Sequence, residues 1–463
     1  MAAPSAAAKS ETRTWVLQAE TELRFDVSSE HTLTVVLKEN TAEMFGIELA
    51  SEYEYKFSSA KAAVFTWYGC TIETTGWVSS IYVAQETPMK SYVNTHAQLE
   101  ARRDKALLAL QAGHVTVTGP RVMVVGETDS GKSTLANILA AYAVRLGRCP
   151  TFVDLDVGQG AITVPGGIAA AALDSNSMSA EEGFSLTAPL VFYYGHTGLQ
   201  ENPELYKKLV GRMADCLKRR VAHDIDASAS GAIINTCGWV EGLGLQLLAH
   251  AITALEVDVV LVMKHDRLYA DMLATLPRSV AVINLPRSGG VVHRNSIHRR
   301  ASRARRCREY FYGGGGGGGA SGAAGGTPAL SPAALHLEFN DVSIFRVGGA
   351  AVSDAMLPVG HSDSSLGPLQ VNPVYPSSDL LHTVLAVCHP VLRQDGTMLG
   401  GASGLEGDRD SAEAAQELLN SNAAGFVYVT EVDMDKRRLA VLSPCPGSLP
   451  SRFLLAGTVK WQE

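Results

Sequence analysis

The seven cysteines of this 463-residue chain form no CxxC pair and stand scattered at 70, 149, 216, 237, 307, 388 and 445. That absence argues against a zinc site, and the odd, dispersed set argues for a reducing compartment. No run of about 18 apolar residues occurs, so nothing reads as a membrane span. Residues 1–10 are alanine-rich but lack the apolar core of about 7–15 residues that a signal peptide needs. The expectation is a soluble, intracellular protein with no membrane partner. Excess positive charge is missing too. With a net charge of −8, no global basic field draws in nucleic acid, and any such binding rests on local patches. What is present is core material, 46% hydrophobic against 19% charged residues. At about 100–200 residues per domain, the length suggests three domains.

The densest chemical signal lies at 121–148, RVMVVGETDSGKSTLANILAAYAVRLGR. Residues 122–125 are a short β-branched run that reads as a buried strand. The run breaks at Gly126 into GETDSGKST, and helical periodicity follows. Strand, GxxxxGK[ST] and helix in that order form the P-loop arrangement. The loop's backbone N–H groups wrap phosphates, and the helix N-terminus adds its partial positive charge. Gly126 and Gly131 permit close backbone approach. Lys132 reaches the β/γ-phosphates, and the Ser133 hydroxyl is placed to ligate Mg²⁺. ATP and Mg²⁺ are therefore the expected small-molecule companions.

Around this centre the chain reads as multidomain: a central α/β P-loop NTPase with a mostly parallel sheet, an N-terminal β-sandwich-like domain, and a C-terminal β-rich α+β domain. Residues 1–13 read as a disordered tail. Short runs at 16–27, 33–37, 53–57, 62–65 and 80–83 read as strands, and 92–112 as a linking helix, giving a domain at 14–112. The P-loop domain spans 113–312. Its strands are expected at 121–125, 151–155, 190–193, 232–235, 257–263 and 280–285. Its helices are expected at 133–148, 203–222, 242–255 and 266–276. A glycine tract at 313–327 reads as a flexible linker. Residues 328–463 return to strand patterns, with a polar insertion at 399–411.

Three further segments bear on chemistry. VDLDVGQG at 153–160 puts Asp154 and Asp156 at the end of a strand expected beside the P-loop strand. Asp156, nearer the loop, is the favoured residue for taking a proton from an acceptor hydroxyl or holding metal-bound water; Asp154 reads equally well as structural. INTCGWV at 234–240 runs onto the same edge, because parallel strands present their C-terminal ends together. Trp239 reads either as a core residue or as a stacking platform for a base. The basic stretch at 287–308 has three readings: a solvated helix, a phosphate contact for nucleic acid, or a mobile lid supplying arginines to a transferring phosphoryl group.

GETDSGKST, VDLDVGQG, INTCGWV, EVDVVLV and LPRSGGVVHR follow one another at familiar distances, with ETELRFDV and AVFTWYGC upstream and REYFYG and LSPCPGSLP downstream. Together they resemble the eukaryotic polynucleotide 5′-hydroxyl kinases of the Clp-one family, found in pre-mRNA cleavage complex II. The resemblance covers nearly the whole chain. It implies that ATP is held by Gly126, Asp129, Ser130, Gly131, Lys132, Ser133 and Thr134, with N-terminal contacts matching Glu22 and Lys61. It implies a Walker B acid at Asp156, with Ser133 and Asp156 on the metal, and substrate contacts at Gln159, Thr236, Gly238 and Trp239. Its lid arginines match Arg287 and Arg294, which join Lys132 and Asp156 as catalytic candidates. The implied reaction carries the ATP γ-phosphate to an RNA 5′-hydroxyl. The implied partners are the cleavage complex II scaffold subunit and, in some lineages, the tRNA splicing endonuclease, in the nucleus. The rival reading is an ATP-binding, non-catalytic scaffold, which would have no chemical reason to keep lid and clasp. His293 departs from the pattern, standing where an acidic residue is expected. The glycine tract predicts looser coupling between the lid and the C-terminal domain.

Overall fold

The computed structural model describes residues 11–114, 116–181, 183–184, 186, 188–313, 330–348, 367–389 and 417–462. Positions 1–10 of the expected tail, the glycine tract from 314 onward and the 399–411 insertion lie outside the described residues. Glu11–Arg13, expected in that tail, instead belong to a strand.

Two sheets form the N-terminal domain. Strands β1 (Glu11–Leu17), β2 (Thr21–Val27), β3 (Leu33–Asn40), β4 (Glu43–Met44) and β5 (Ile47–Glu48) come first. They are followed by β6 (Glu54–Phe57), β7 (Ala60–Thr66), β8 (Cys70–Gly76) and β9 (Ser80–Ala84). The sheets run β1-β8-β3-β6 and β5-β4-β7-β2-β9. The run 16–27, expected as one strand, is two. The chain turns at Glu20, whose φ is +61°, and Thr21 Oγ1 ties the turn by donating to Gln18 O at 2.8 Å. Along β2, Leu23, Phe25 and Val27 enter the sandwich core while Glu22, Arg24 and Asp26 alternate onto the opposite face.

Helix α1 (Met89–Gln111) carries the chain across to the central domain. There follow β10 (Arg121–Val125), α2 (Lys132–Arg145), β11 (Thr151–Asp154), β12 (Gly167–Ala172), β13 (Met178–Ser179), β14 (Gly183–Phe184) and β15 (Leu190–Tyr193). After these come α3 (Pro203–His223), α4 (Ile225–Ser230), β16 (Ala232–Asn235), α5 (Leu243–Ala254), β17 (Val259–Met263), α6 (Asp266–Thr275), β18 (Ala281–Leu285) and α7 (Ser296–Tyr312). The central sheet has the order β15-β12-β11-β16-β10-β17-β18. Strands β11, β16, β10, β17 and β18 pair in parallel, and β12 is inserted antiparallel between β11 and β15. Two expectations are corrected here. The alanine-rich β12 carries no alternation to announce it. And β11 is not beside the P-loop strand, because β16 stands between them.

The third domain is a mixed sheet of β19 (Ala333–Glu338), β20 (Ser343–Val347), β21 (Val371–Pro373), β22 (Thr383–Cys388), β23 (Ala423–Asp433), β24 (Arg438–Ser443) and β25 (Phe453–Lys460). The basic segment forms α7, and its last turn is embedded in this sheet. Phe311 is fully buried and stacks on Trp461 with ring centroids 5.5 Å apart. Tyr310 Oη accepts from Phe426 N at 2.9 Å. Coupling between lid and C-terminal domain is therefore made by direct packing, contrary to the looser link expected from the glycine tract.

Between α1 and α2, His96 is buried against Tyr142, and its Nδ1 has no hydrogen-bond partner. Burial pulls the imidazole down to about 4. The folded state thus holds His96 neutral, while the unfolded chain protonates it below about 6.5. Stability attributable to this site is intact above that pH and falls as pH drops toward 4, by about 2 kcal/mol at pH 5. Urea unfolding followed at pH 7 and pH 5 should show a smaller drop for His96→Gln than for the parent. Equal drops would remove His96 as the cause.

Candidate active site

The loop between β10 and α2 opens the site. Gly131 is the N-terminal cap of α2 with φ +91°, a left-handed conformation that suits glycine, and no side chain caps the helix. The first-turn N–H groups are thus left to an anion. Lys132 is buried, and its Nζ donates to Glu127 O at 2.7 Å. Burial lowers the ammonium's pKa, against the nearby charges of Asp156, Asp129 and Glu127. Ser133 and Thr134 are exposed at the mouth of the loop. Ser130 Oγ is buried there without a hydrogen-bond partner.

Behind the loop runs a chain of hydrogen bonds. Ser133 Oγ donates to Asn235 Oδ1 at 3.3 Å, and Asn235 Nδ2 donates to Asp154 Oδ1 at 3.1 Å. Asp154 also accepts from Asp156 N at 3.1 Å and Ala161 N at 2.6 Å. Burial, then the charge of Asp156, pushes the Asp154 carboxyl up to about 6. Asp156 is half-buried, and its Oδ1 accepts from Gly158 N and Gln159 N, each at 3.0 Å. Both carboxylates therefore converge on the loop, Asp156 by its charge on Lys132 and Asp154 through Asn235.

The loop after β16 leans directly on the P-loop. A Cβ on Gly238 would lie 2.5 Å from Thr128 N, so only glycine allows this approach. Trp239 is half-buried, packed on the central core and over Gly244 of α5. Thr236 is buried, and its hydroxyl donates to Val124 O at 2.8 Å. That bond commits the hydroxyl's proton to bracing the loop against β10.

The lid closes over the same loop. Asp129 Oδ2 accepts from Arg294 N at 2.9 Å and from Arg299 Nη2 at 2.8 Å, with His293 Nδ1 3.1 Å away. Partial burial works to raise the Asp129 carboxyl, but the bonds and charges of Arg294 and Arg299 hold it below its usual range. An acidic residue at 293 would face this carboxylate, so histidine suits the position. Val291 covers Gly131, at 3.2 Å from where its Cβ would be. Gln159 Nε2 reaches Arg299 O at 3.3 Å. Arg287 is exposed at the hinge, away from these contacts.

Glu22 and Lys61 are not brought to the loop directly. Glu22 is buried, accepting from Thr87 and, at 2.7 Å, from Arg24 Nε. Lys61 pairs with Asp26 at 2.7 Å. Arg24 links this face to the lid hinge, with Nη2 3.4 Å from Ser288 Oγ and its chain against Gly290. Sequence reasoning missed Asn235, Arg24 and Arg299. Asn235 sat one residue before the clasp motif, and Arg299 became distinguishable from its neighbours only once the register of α7 placed it.

The groups offered beside the loop are hard oxygens, the Ser133 hydroxyl and the half-buried Asp156 carboxylate, with Asn235 and Asp154 behind Ser133. Such a set suits Mg²⁺. Among the described residues no cluster of three or more His, Cys, Asp or Glu could hold a metal by itself.

The description "mRNA cleavage and polyadenylation factor CLP1 P-loop" matches residues 126–313. "N-terminal beta-sandwich domain of polyadenylation factor" matches 16–106, and "Pre-mRNA cleavage complex II protein Clp1" matches 330–463. The human polyribonucleotide 5′-hydroxyl-kinase Clp1 is 41% identical over 457 residues, covering 98% of each chain. The CLP1 homolog of Arabidopsis thaliana is 43% identical over 452 residues, covering 96% of this chain and 94% of that one. A solved complex of wild-type Clp1p with Pcf11p (454–563) matches with a TM-score of 0.79 and 25% identity, over 98% of this chain and 99% of that one.

Replacing Arg299 by alanine should free the lid from the loop. A charge-assisted bond of this kind, partly exposed, contributes about 1–2 kcal/mol, or roughly five- to thirtyfold. Amide hydrogen exchange across 291–300 should rise by that factor while β10 and β17 keep their protection. Unchanged exchange in 291–300 would show that the Arg299–Asp129 bond is not what holds the lid.

Proposed function

The chain belongs to the Clp1 family, and from that membership we propose that it is an ATP-dependent polynucleotide 5′-hydroxyl kinase acting on RNA. The observation that carries the reading is convergence: the carboxylates, the clasp and the arginine lid all bear on the P-loop. In this mechanism the loop amides and Lys132 hold the β- and γ-phosphates, and Lys132 leaves Glu127 O to do so. Ser133 and Asp156 would hold Mg²⁺, which supplies charge neutralisation between the phosphates when bound. Asp156 accepts the proton of the RNA 5′-hydroxyl as its oxygen attacks phosphorus and the bond to the ADP leaving group breaks. Arg299 exchanges Asp129 for phosphate oxygens, with Arg294 beside it and Arg287 at the hinge. A planar guanidinium can bind two such oxygens at once. Trp239 stacks on the terminal nucleotide, and Gln159 borders the same opening. Glu22 contributes the N-terminal side of the nucleotide site through its bond to Arg24 at the hinge, and Lys61 joins it from the neighbouring strand.

In its setting, the reading is a subunit of the pre-mRNA cleavage machinery that docks on a scaffold of the Pcf11 kind. A nuclear location and a second association with the tRNA splicing endonuclease belong to the same proposal.

The test is transfer of radiolabelled γ-phosphate to a short 5′-hydroxyl RNA. Lys132→Ala should abolish both ATP binding and transfer. Trp239→Ala should retain ATP affinity within about twofold and lower RNA use by about tenfold or more, from a stacking contribution of ~1–3 kcal/mol. ATP retained with no transfer in the parent would favour the non-catalytic scaffold. Equal loss of ATP affinity in both variants would sink the clasp assignment.

A further inference from the structure

The position of β16 between β10 and β11 has a chemical result. Its last residue, Asn235, is 1% exposed and lies between the P-loop helix and Asp154. Both ends of its amide are used. Oδ1 accepts from Ser133 Oγ at 3.3 Å, and Nδ2 donates to Asp154 Oδ1 at 3.1 Å. Asp154 is in turn fixed by two backbone donors, Asp156 N and Ala161 N. An ionised carboxylate can only accept, so the amide must turn its NH₂ toward Asp154 and its oxygen toward Ser133. A hydroxyl has one proton and two lone pairs. When its proton is drawn back to Asn235, the lone pairs are left for the mouth of the loop.

We propose that Asn235 is a positioning residue that orients the Ser133 hydroxyl as a lone-pair donor to the divalent cation accompanying ATP, with Asp154 fixing the amide's orientation. The inference rests on the kinase reading above, in which Ser133 meets that cation. An outer-shell partner of this kind typically alters metal affinity or activity by about 10–100-fold. Being neutral, the amide orients the hydroxyl without adding a third negative charge to Asp154 and Asp156.

The full-length protein is titrated with a fluorescent ATP analogue, in EDTA and across a Mg²⁺ series. Asn235→Leu, similar in size but without the acceptor, should bind the analogue in EDTA within about twofold of the parent. Its Mg²⁺ concentration for half-maximal enhancement should rise by about tenfold. Asn235→Ser, too short to span both partners, should give the same shift and guards against misfolding of the leucine variant. Ser133→Ala should remove the Mg²⁺ enhancement, and adding Asn235→Leu to it should change nothing further. A merely structural role would weaken binding equally with and without Mg²⁺, and that result would overturn the proposal. So would a parent-like Mg²⁺ response in both Asn235 variants. If the parent itself shows no Mg²⁺ enhancement, the kinase reading of the cation site fails, and this inference fails with it.

Discussion

Asp129 Oδ2 receives the backbone N–H of Arg294 and the guanidinium of Arg299, with the ring of His293 3.1 Å away, and the arrangement of the outer domains serves that junction. The lid can reach Asp129 only if its hinge and its far end are both held. Tyr92 of α1 donates to Pro286 O at 2.9 Å, and Arg24 of β2 lies against Ser288 and Gly290. At the other end, Cys307 and Phe311 are buried among Phe426, Tyr428 and Trp461. A basic helix of this composition would have little reason to dock by charge alone, since exposed ion pairs contribute about 0–1 kcal/mol each. Its apolar last turn supplies the anchorage.

The N-terminal sandwich is joined to the P-loop helix with comparable care. Arg145 on α2 donates to Glu43 Oε2 at 3.0 Å, to Gly46 O at 3.2 Å and to Glu48 Oε2 at 2.9 Å. Glu43 is buried and also accepts from Tyr142. A buried carboxylate left without these partners would be costly. The pairing therefore specifies where α2 meets the sandwich, and α2 begins at Lys132.

Much of this was legible in the residues, because local rules decide it. GETDSGKST between a β-branched run and an amphipathic run can hardly be other than strand, loop and helix. The central alternation likewise announced its parallel strands. What stayed hidden depends on contacts distant in sequence. β12, GIAAAA, has neither alternation nor bulk to reveal it. The place of β16 between β10 and β11 is a property of sheet order, and Asn235 is a link only because of it. Arg299 stands within a run of similar arginines, and helical register alone selects it. Glu22 and Lys61 look like surface charges. Glu22 proves buried, while Lys61 answers Asp26 across a strand pair.

Helix α7 spans 17 residues, about 25 Å at 1.5 Å per residue. Its carboxyl end is seated in a hydrophobic socket, and its amino end touches the nucleotide loop. Such a body is a lever with its fulcrum in the third domain. A tilt of about 10° at the socket displaces the other end by about 4 Å, more than a hydrogen bond can stretch. Whatever grips the outer sheet near Phe426 and Trp461 therefore sets the angle of the whole arm, with nothing touching the phosphates themselves.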